Sequence, residues 1–131
     1  MTGPTSKILF VDDEAPFLEL VKRIFGKEDY EILTAGSGDE ALEVIAKNLP
    51  ISVMVTDFRM PGMNGDELIK KLHDLSPQTK AIVVSAHSEA IDACRQVPEE
   101  RIFCVIPKPV NFEYLKETIK SAIKHSHQSS D

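Results

Sequence analysis

The sequence predicts an α/β fold, (βα)5, in which five parallel strands alternate with five helices and the helices cover both faces of the sheet. Three observations predict it. Five short apolar runs of strand length recur along the 131 residues, as expected for strands buried on both faces. Stretches with apolar residues at helical spacing fall between them, and such alternation implies a parallel sheet. Several apolar runs also end in polar residues, at the carboxyl ends of strands where open α/β sheets collect their ligand chemistry.

Each element has its own signals. The first strand is 7–11, Lys-Ile-Leu-Phe-Val. Asp12-Asp13-Glu14 follows, and Pro16 suits the first turn of a helix, where a missing N–H costs nothing. Phe17, Leu18, Val21, Ile24 and Phe25 give the first helix its apolar stripe. The second strand, 30–35, has the weakest pattern of the five. Ser37-Gly-Asp-Glu40 is a capping box ahead of Ala41, Leu42, Val44 and Ile45. The third strand is Ile51 to Asp57, and Phe58-Arg-Met-Pro-Gly62 turns the chain. Asn64-Gly-Asp-Glu67 caps the third helix, whose stripe is Leu68, Ile69, Leu72 and Leu75. Ala81-Ile-Val-Val84 is the fourth strand and ends at Ser85-Ala86-His87. A short, weakly amphipathic fourth helix spans about 89–96. Ile102 to Ile106 is the fifth strand, ending at Pro107-Lys108-Pro109. Asn111 caps the fifth helix, with Phe112, Leu115, Ile119, Ala122 and Ile123 on one face. Residues 1–6 are expected as a flexible arm, 7–124 as one domain, and 125–131 as a polar tail or the start of a linker.

Composition bounds the function. Apolar residues make up 42% and the net charge is −6. This is a globular chain, and its charge argues against direct nucleic-acid binding, which needs clustered Lys and Arg. It suits metal cations. No run approaches the roughly 18 apolar residues of a membrane span, and the N-terminus has no apolar signal core. Cys94 and Cys104 have no zinc-site spacing and are read as reduced core residues of a cytoplasmic protein. His73 reads as an exposed helix residue and His125 and His127 as solvated tail residues. Ala90, Ala93, Cys94 and Val97 read as core packing.

The strand ends carry the chemistry. Asp12, Asp13, Asp57, Ser85 and Lys108 lie on one edge of the predicted sheet. Each alone has an ordinary explanation. Asp57 suits the start of a turn, Asp12 and Asp13 suit a helix N-terminus, and Ser85 and Lys108 suit a loop. Together they describe a pocket. Two like charges 4 Å apart repel by about 4 kcal/mol at an effective dielectric of 20, so three carboxylates call for a cation. Oxygen ligands favour a hard ion, and Mg²⁺ accepts a few carboxylates and retains waters. A phosphoryl group fits beside it, because its transfer needs positioning and charge neutralisation. Asp57 would then be the nucleophile.

These residues resemble the receiver domain of two-component response regulators over about 7–124. The matching parts are Asp12-Asp13, the loop Asp57-Phe-Arg-Met-Pro-Gly-Met-Asn-Gly65, Ser85-Ala86 and Lys108-Pro109. Each part is weak alone; in order, at successive strand ends, they are highly specific. The resemblance implies a flavodoxin-like sheet of order 2-1-3-4-5. It implies a phosphoprotein of phosphorelay signal transduction rather than an enzyme in the usual sense, with only self-catalysed phosphorylation and dephosphorylation. Asp57 is expected to accept a phosphoryl group from a sensor histidine kinase or phosphotransfer protein. Asp13, Asp57 and the Arg59 backbone carbonyl are expected to bind Mg²⁺ directly, with Asp12 helping through water. Ser85 is the implied switch hydroxyl, Lys108 the phosphoryl partner, and Lys108–Pro109 an implied cis peptide. The face of the fourth helix, fifth strand and fifth helix is expected to contact a downstream protein or fused output domain, with a homodimer also compatible. Stand-alone and excised domains are both compatible with the sequence.

The chain departs from the family at Val105, where an aromatic switch residue is usual. Phe103, two residues earlier, is expected on the same strand face by alternation. Arg59 and His87 occupy the positions that tune phosphoryl hydrolysis in the family. Three rivals remain. A haloacid-dehalogenase-like phosphatase needs an acid where Arg59 stands. A flavin or dinucleotide module needs a phosphate loop where Asp12-Asp13-Glu14 stands. A degenerate receiver would bind partners unphosphorylated, against which the intact Asp13, Asp57, Ser85 and Lys108 count.

Overall fold

The computed structural model describes residues 6–28, 30–86 and 102–128. Alternation of strand and helix is realised as β1 (Ser6–Val11), α1 (Ala15–Phe25), β2 (Tyr30–Ala35), α2 (Gly38–Lys47), β3 (Val53–Asp57), α3 (Gly65–Leu75), β4 (Lys80–Ser85), β5 (Ile102–Pro107) and α4 (Phe112–Gln128). α4 is the fifth helix of the sequence reading. The expected fourth helix, with Ala90, Ala93, Cys94 and Val97, lies outside the described residues, as does His87. All strand pairs are parallel, and the order is β2-β1-β3-β4-β5. Among the described residues, no helix is long and apolar enough to cross a membrane.

Side-chain alternation along the strands divides the core in two. Leu9, Val11 and Met54 face α2 and α3, where they meet Ala41, Ile45, Leu68, Ile69 and Leu72. Ile8, Phe10, Val53 and Val55 face α1 and α4, where they meet Val21, Phe25, Leu115, Ile119 and Ala122. Leu9, Met54, Phe10 and Val53 are completely buried, as central strands with two covered faces require.

β5 breaks the alternation. Ala81 pairs with Ile102, but Ile82 pairs with Cys104. Phe103 is the extra residue of a β-bulge, and a bulge shifts the phase of every following side chain. Phe103 therefore packs toward the α1/α4 layer and Val105 toward the α2/α3 layer. The expectation that they share a face is corrected: simple alternation does not hold across a bulge.

The caps differ in detail from the sequence reading. Ser37 Oγ accepts the Glu40 N–H at 3.1 Å, while Glu40 Oε1 accepts the Gly36 N–H at 2.7 Å. The reciprocal bond of the capping box thus falls one residue earlier than expected. Asn64 is the N-cap of α3 by position, but its side chain makes no capping bond. Asn111 Oδ1 accepts the Tyr114 N–H at 3.0 Å and caps α4 as expected. Residues 125–128, expected as tail, continue α4; no Gly or Pro interrupts them. Cys104 is half-buried and carries a free thiol, so it borders the core rather than filling it.

Candidate functional site

Strand register brings the site together. Val11 pairs with Thr56, so the next residues, Asp12 and Asp57, emerge side by side from the two central strands. Asp57 itself pairs with Val84, one residue before Ser85, and Ser85 pairs with Pro107, one residue before Lys108. The Lys108 N–H donates to the Ser85 carbonyl at 2.9 Å, and the Lys108–Pro109 peptide is cis.

Asp12, Asp13 and Asp57 each offer a carboxylate oxygen within 4.8 Å of the others. Lys108 Nζ lies 3.3 Å from Asp57 Oδ2 and 4.0 Å from Asp12 Oδ2. The Asp57 side chain is 12% exposed and that of Asp12 only 3%. Asp13 lies at the surface. Burial pushes the Asp12 carboxyl above the ordinary aspartate range. The Glu14 N–H, which donates to Asp12 Oδ1 at 2.8 Å, opposes that rise. Asp57 then raises it, Lys108 lowers it, and Asp13 raises it further. One ammonium among three carboxylates leaves a deficit of positive charge. The donors are all oxygen, which suits a hard divalent cation such as Mg²⁺.

The loop after β3 frames the site on one side. The Phe58 N–H donates to the Val84 carbonyl at 3.1 Å, and the Gly65 N–H returns to the Phe58 carbonyl at 2.7 Å. Gly62 has φ +86°, which favours glycine. A Cβ on Gly65 would lie 2.8 Å from the Asp57 carbonyl, closer than packing allows. Phe58, Met60 and Met63 are buried beneath the loop, whereas Arg59 is exposed. Phe58, Arg59, Met60, Pro61 and Asn64 line a surface cavity of about 450 Å³.

The structure thus brings Asp12, Asp13, Asp57 and Lys108 into one cluster. Ser85 stands at the adjacent strand end, 5% exposed. Arg59 lies in the flanking loop. Two supporting features were missed in the sequence. The Glu14 N–H holds Asp12, and the spacing Asp-x-Glu carries the signal, because Asp side chains commonly accept the N–H two residues on. Thr56 is fully buried and donates to the Asp57 carbonyl at 2.9 Å; nothing in an apolar run marks that role.

Comparison with known proteins decides the family. The family model described as the response regulator receiver domain matches residues 8–120. The chain belongs to the response regulator receiver domain family. This receiver domain is 32% identical over 124 residues to the hydrogenase transcriptional regulatory protein HoxA of Cupriavidus necator, covering 95% of the chain and 25% of that protein. It is 29% identical over 114 residues to sporulation initiation phosphotransferase F of Bacillus subtilis, covering 87% of the chain and 90% of that protein. A crystal structure of the response regulator TrrA from Thermotoga maritima, in complex with Mg(2+)-BeF, superposes with a TM-score of 0.76 at 31% identity. That match covers 90% of the chain and 99% of TrrA. The chain therefore spans about a quarter of HoxA but most of phosphotransferase F. A receiver domain is a signalling domain, not a classical enzyme, and binds Mg²⁺ at an acidic cluster of the kind found here.

Proposed function

We propose that this receiver domain accepts a phosphoryl group on Asp57 and uses the resulting aspartyl phosphate as a switch. The observation that carries the reading is the position of Lys108 Nζ, between Asp57 and Asp12, beside a cluster of three carboxylates. A carboxylate oxygen of Asp57 forms the new P–O bond as the P–N bond to the donor imidazole breaks, and the imidazole leaves with a proton from solvent. Asp13, Asp57 and the Arg59 carbonyl are assigned to Mg²⁺, with Asp12 acting through water. When bound, Mg²⁺ neutralises the carboxylates and the incoming phosphoryl oxygens. Lys108, already held at the strand end by its N–H bond to Ser85, is placed to transfer its ammonium from Asp57 to a phosphoryl oxygen. The Ser85 hydroxyl is assigned as hydrogen-bond donor to that group.

The phosphodonor class is a sensor histidine kinase or phosphotransfer protein, which places the domain in the cytoplasm. Residues 7–124 form the working unit. The output runs through the face of β5 and α4 to a downstream protein or a fused output domain. HoxA, a transcriptional regulatory protein four times as long as the matched span, supports the fused arrangement. Phosphotransferase F, matched over 90% of its length, supports the free one.

The test is intact mass after incubation with acetyl phosphate and Mg²⁺. The expected result is one phosphate on the wild type and none on Asp57→Asn. Lack of an adduct on the wild type with acetyl phosphate, and with histidine-kinase donors, overturns the reading in favour of a receiver that binds partners unphosphorylated.

A further inference from the structure

The first turn of α2 touches the loop after β3. Gly38, its first residue, is buried. A Cβ built on Gly38 would lie 2.7 Å from Met63 Sδ, 3.1 Å from Met63 Cγ and 2.9 Å from Met63 Cβ. The first two atoms belong to a flexible side chain and can swing away. Met63 Cβ cannot, because it is fixed to the backbone. A methyl group at position 38 therefore displaces the loop itself and not merely a rotamer.

Neither side has room to retreat. The start of α2 is held by Ser37 Oγ on the Glu40 N–H, by Glu40 Oε1 on the Gly36 N–H, and by the Ala41 N–H on the Ser37 carbonyl at 2.9 Å. Ala41 is completely buried. The loop is pinned at its far end, where Gly65 closes on the Phe58 carbonyl and a Cβ on it would lie 2.8 Å from the Asp57 carbonyl. Displacement at Met63 is then taken up between these anchors, in 59–64. That stretch carries the Arg59 carbonyl. The entry to α2 is tied to the opposite wall of the site as well: the Ala35 carbonyl, just before it, accepts the Asp12 N–H at 3.1 Å.

We propose that Gly38 and Met63 are a positioning pair, in which the vacant Cβ position of Gly38 is the socket that seats Met63 and thereby sets the Arg59 carbonyl for Mg²⁺. The inference rests on the assignment of Mg²⁺ to Asp13, Asp57 and Arg59. Neither residue touches the ion; both act through the loop, as outer-shell groups that orient ligands do.

The experiment titrates Mg²⁺ alone into the full chain and follows amide chemical shifts of residues 12, 13, 57 and 59. The variants are Gly38→Ala, Met63→Ala and Ile45→Val, with Asp57→Asn as a ligand control. Urea midpoints are measured for each. Gly38→Ala and Met63→Ala are expected to raise the Mg²⁺ Kd about tenfold, the lower end of the range for outer-shell changes. Ile45→Val removes a methyl from the same apolar layer, so it should lower the urea midpoint with Kd unchanged. A Kd within twofold of wild type in the folded variants of the pair overturns the inference, whatever their urea midpoints. So does a Kd that rises equally in Ile45→Val, because the effect is then general destabilisation. Should Gly38→Ala fail to fold, Met63→Ala decides alone. Equal Mg²⁺ binding by wild type and Asp57→Asn overturns the metal assignment itself, and this inference with it. A raised Kd in the pair beside a wild-type Kd abolished in Asp57→Asn supports both.

Discussion

Asp12 is the most deeply buried carboxylate of the cluster. Its pKa is raised chiefly by burial, which fixes the sign of its effect on folding. A raised folded pKa contributes stability that is fully present below the ordinary aspartate range, and that stability is lost as pH rises through the raised value. Without Mg²⁺, ionisation of Asp12 as pH rises therefore works against the fold. Asp12→Asn keeps an oxygen to accept the Glu14 N–H and removes the charge. It is expected to raise stability at pH 7 by about 1–2 kcal/mol, a fraction of the roughly 4 kcal/mol repulsion between two charges at 4 Å. Urea midpoints in a chelating buffer from pH 4 to 8 check this: the advantage of Asn should grow with pH and shrink when Mg²⁺ is added. The residues of the cluster were legible in the sequence because each ends an apolar run. The support for Asp12 from Glu14 was not, since a backbone N–H leaves no mark in residue type.

At the scale of the elements, caps were easier to place than to detail. Asn111 was readable as the N-cap of α4, and it bonds the Tyr114 N–H as a cap should. Asn111→Ala is expected to cost about 1 kcal/mol, read as a lowered thermal midpoint with phosphorylation by acetyl phosphate retained. Asn64 has the same residue type at the same position and makes no such bond, because the Gly65–Phe58 closure fixes the chain there instead. The bulge in β5 escaped sequence reading altogether. Bulges are often announced by Gly, whereas the bulged residue is Phe103. Its consequence is functional. The ring cannot stand in for the aromatic absent at Val105, since the two side chains enter different layers of the core. Under the proposed function, the Ser85 hydroxyl and Lys108 are left to carry the switch.

At the scale of the whole molecule, order of elements and residues at strand ends predicted both the parallel sheet and the edge where the site forms. Strand order came from family resemblance, because alternation alone admits several windings. Register, which sets Asp12 beside Asp57 and Lys108 beyond Ser85, is a property of paired backbones and not of any single strand. One sheet thus links the site to the β4–β5 edge. Phosphorylation should perturb amide resonances across 85–110 strongly and those of 48–52 and 76–80, at the opposite end of the strands, little. Comparison of amide spectra before and after acetyl phosphate checks this, and identical spectra across 85–110 would exclude the proposed output face.

The loop after β3 also holds two glycines that constrain substitution in different ways. Gly62 needs a backbone twist that L-residues resist, yet it has open space around it. Gly65 has no such twist, but a Cβ there would lie 2.8 Å from the Asp57 carbonyl. The first position is a preference about handedness: asparagine could satisfy it in part, and a D-alanine introduced by chemical synthesis fully. The second is a limit on volume, and no L-residue with a side chain meets it. Three positions apart in one loop, identical letters therefore spell different rules, and drift through sequence space is free to soften one of them while the other stays closed.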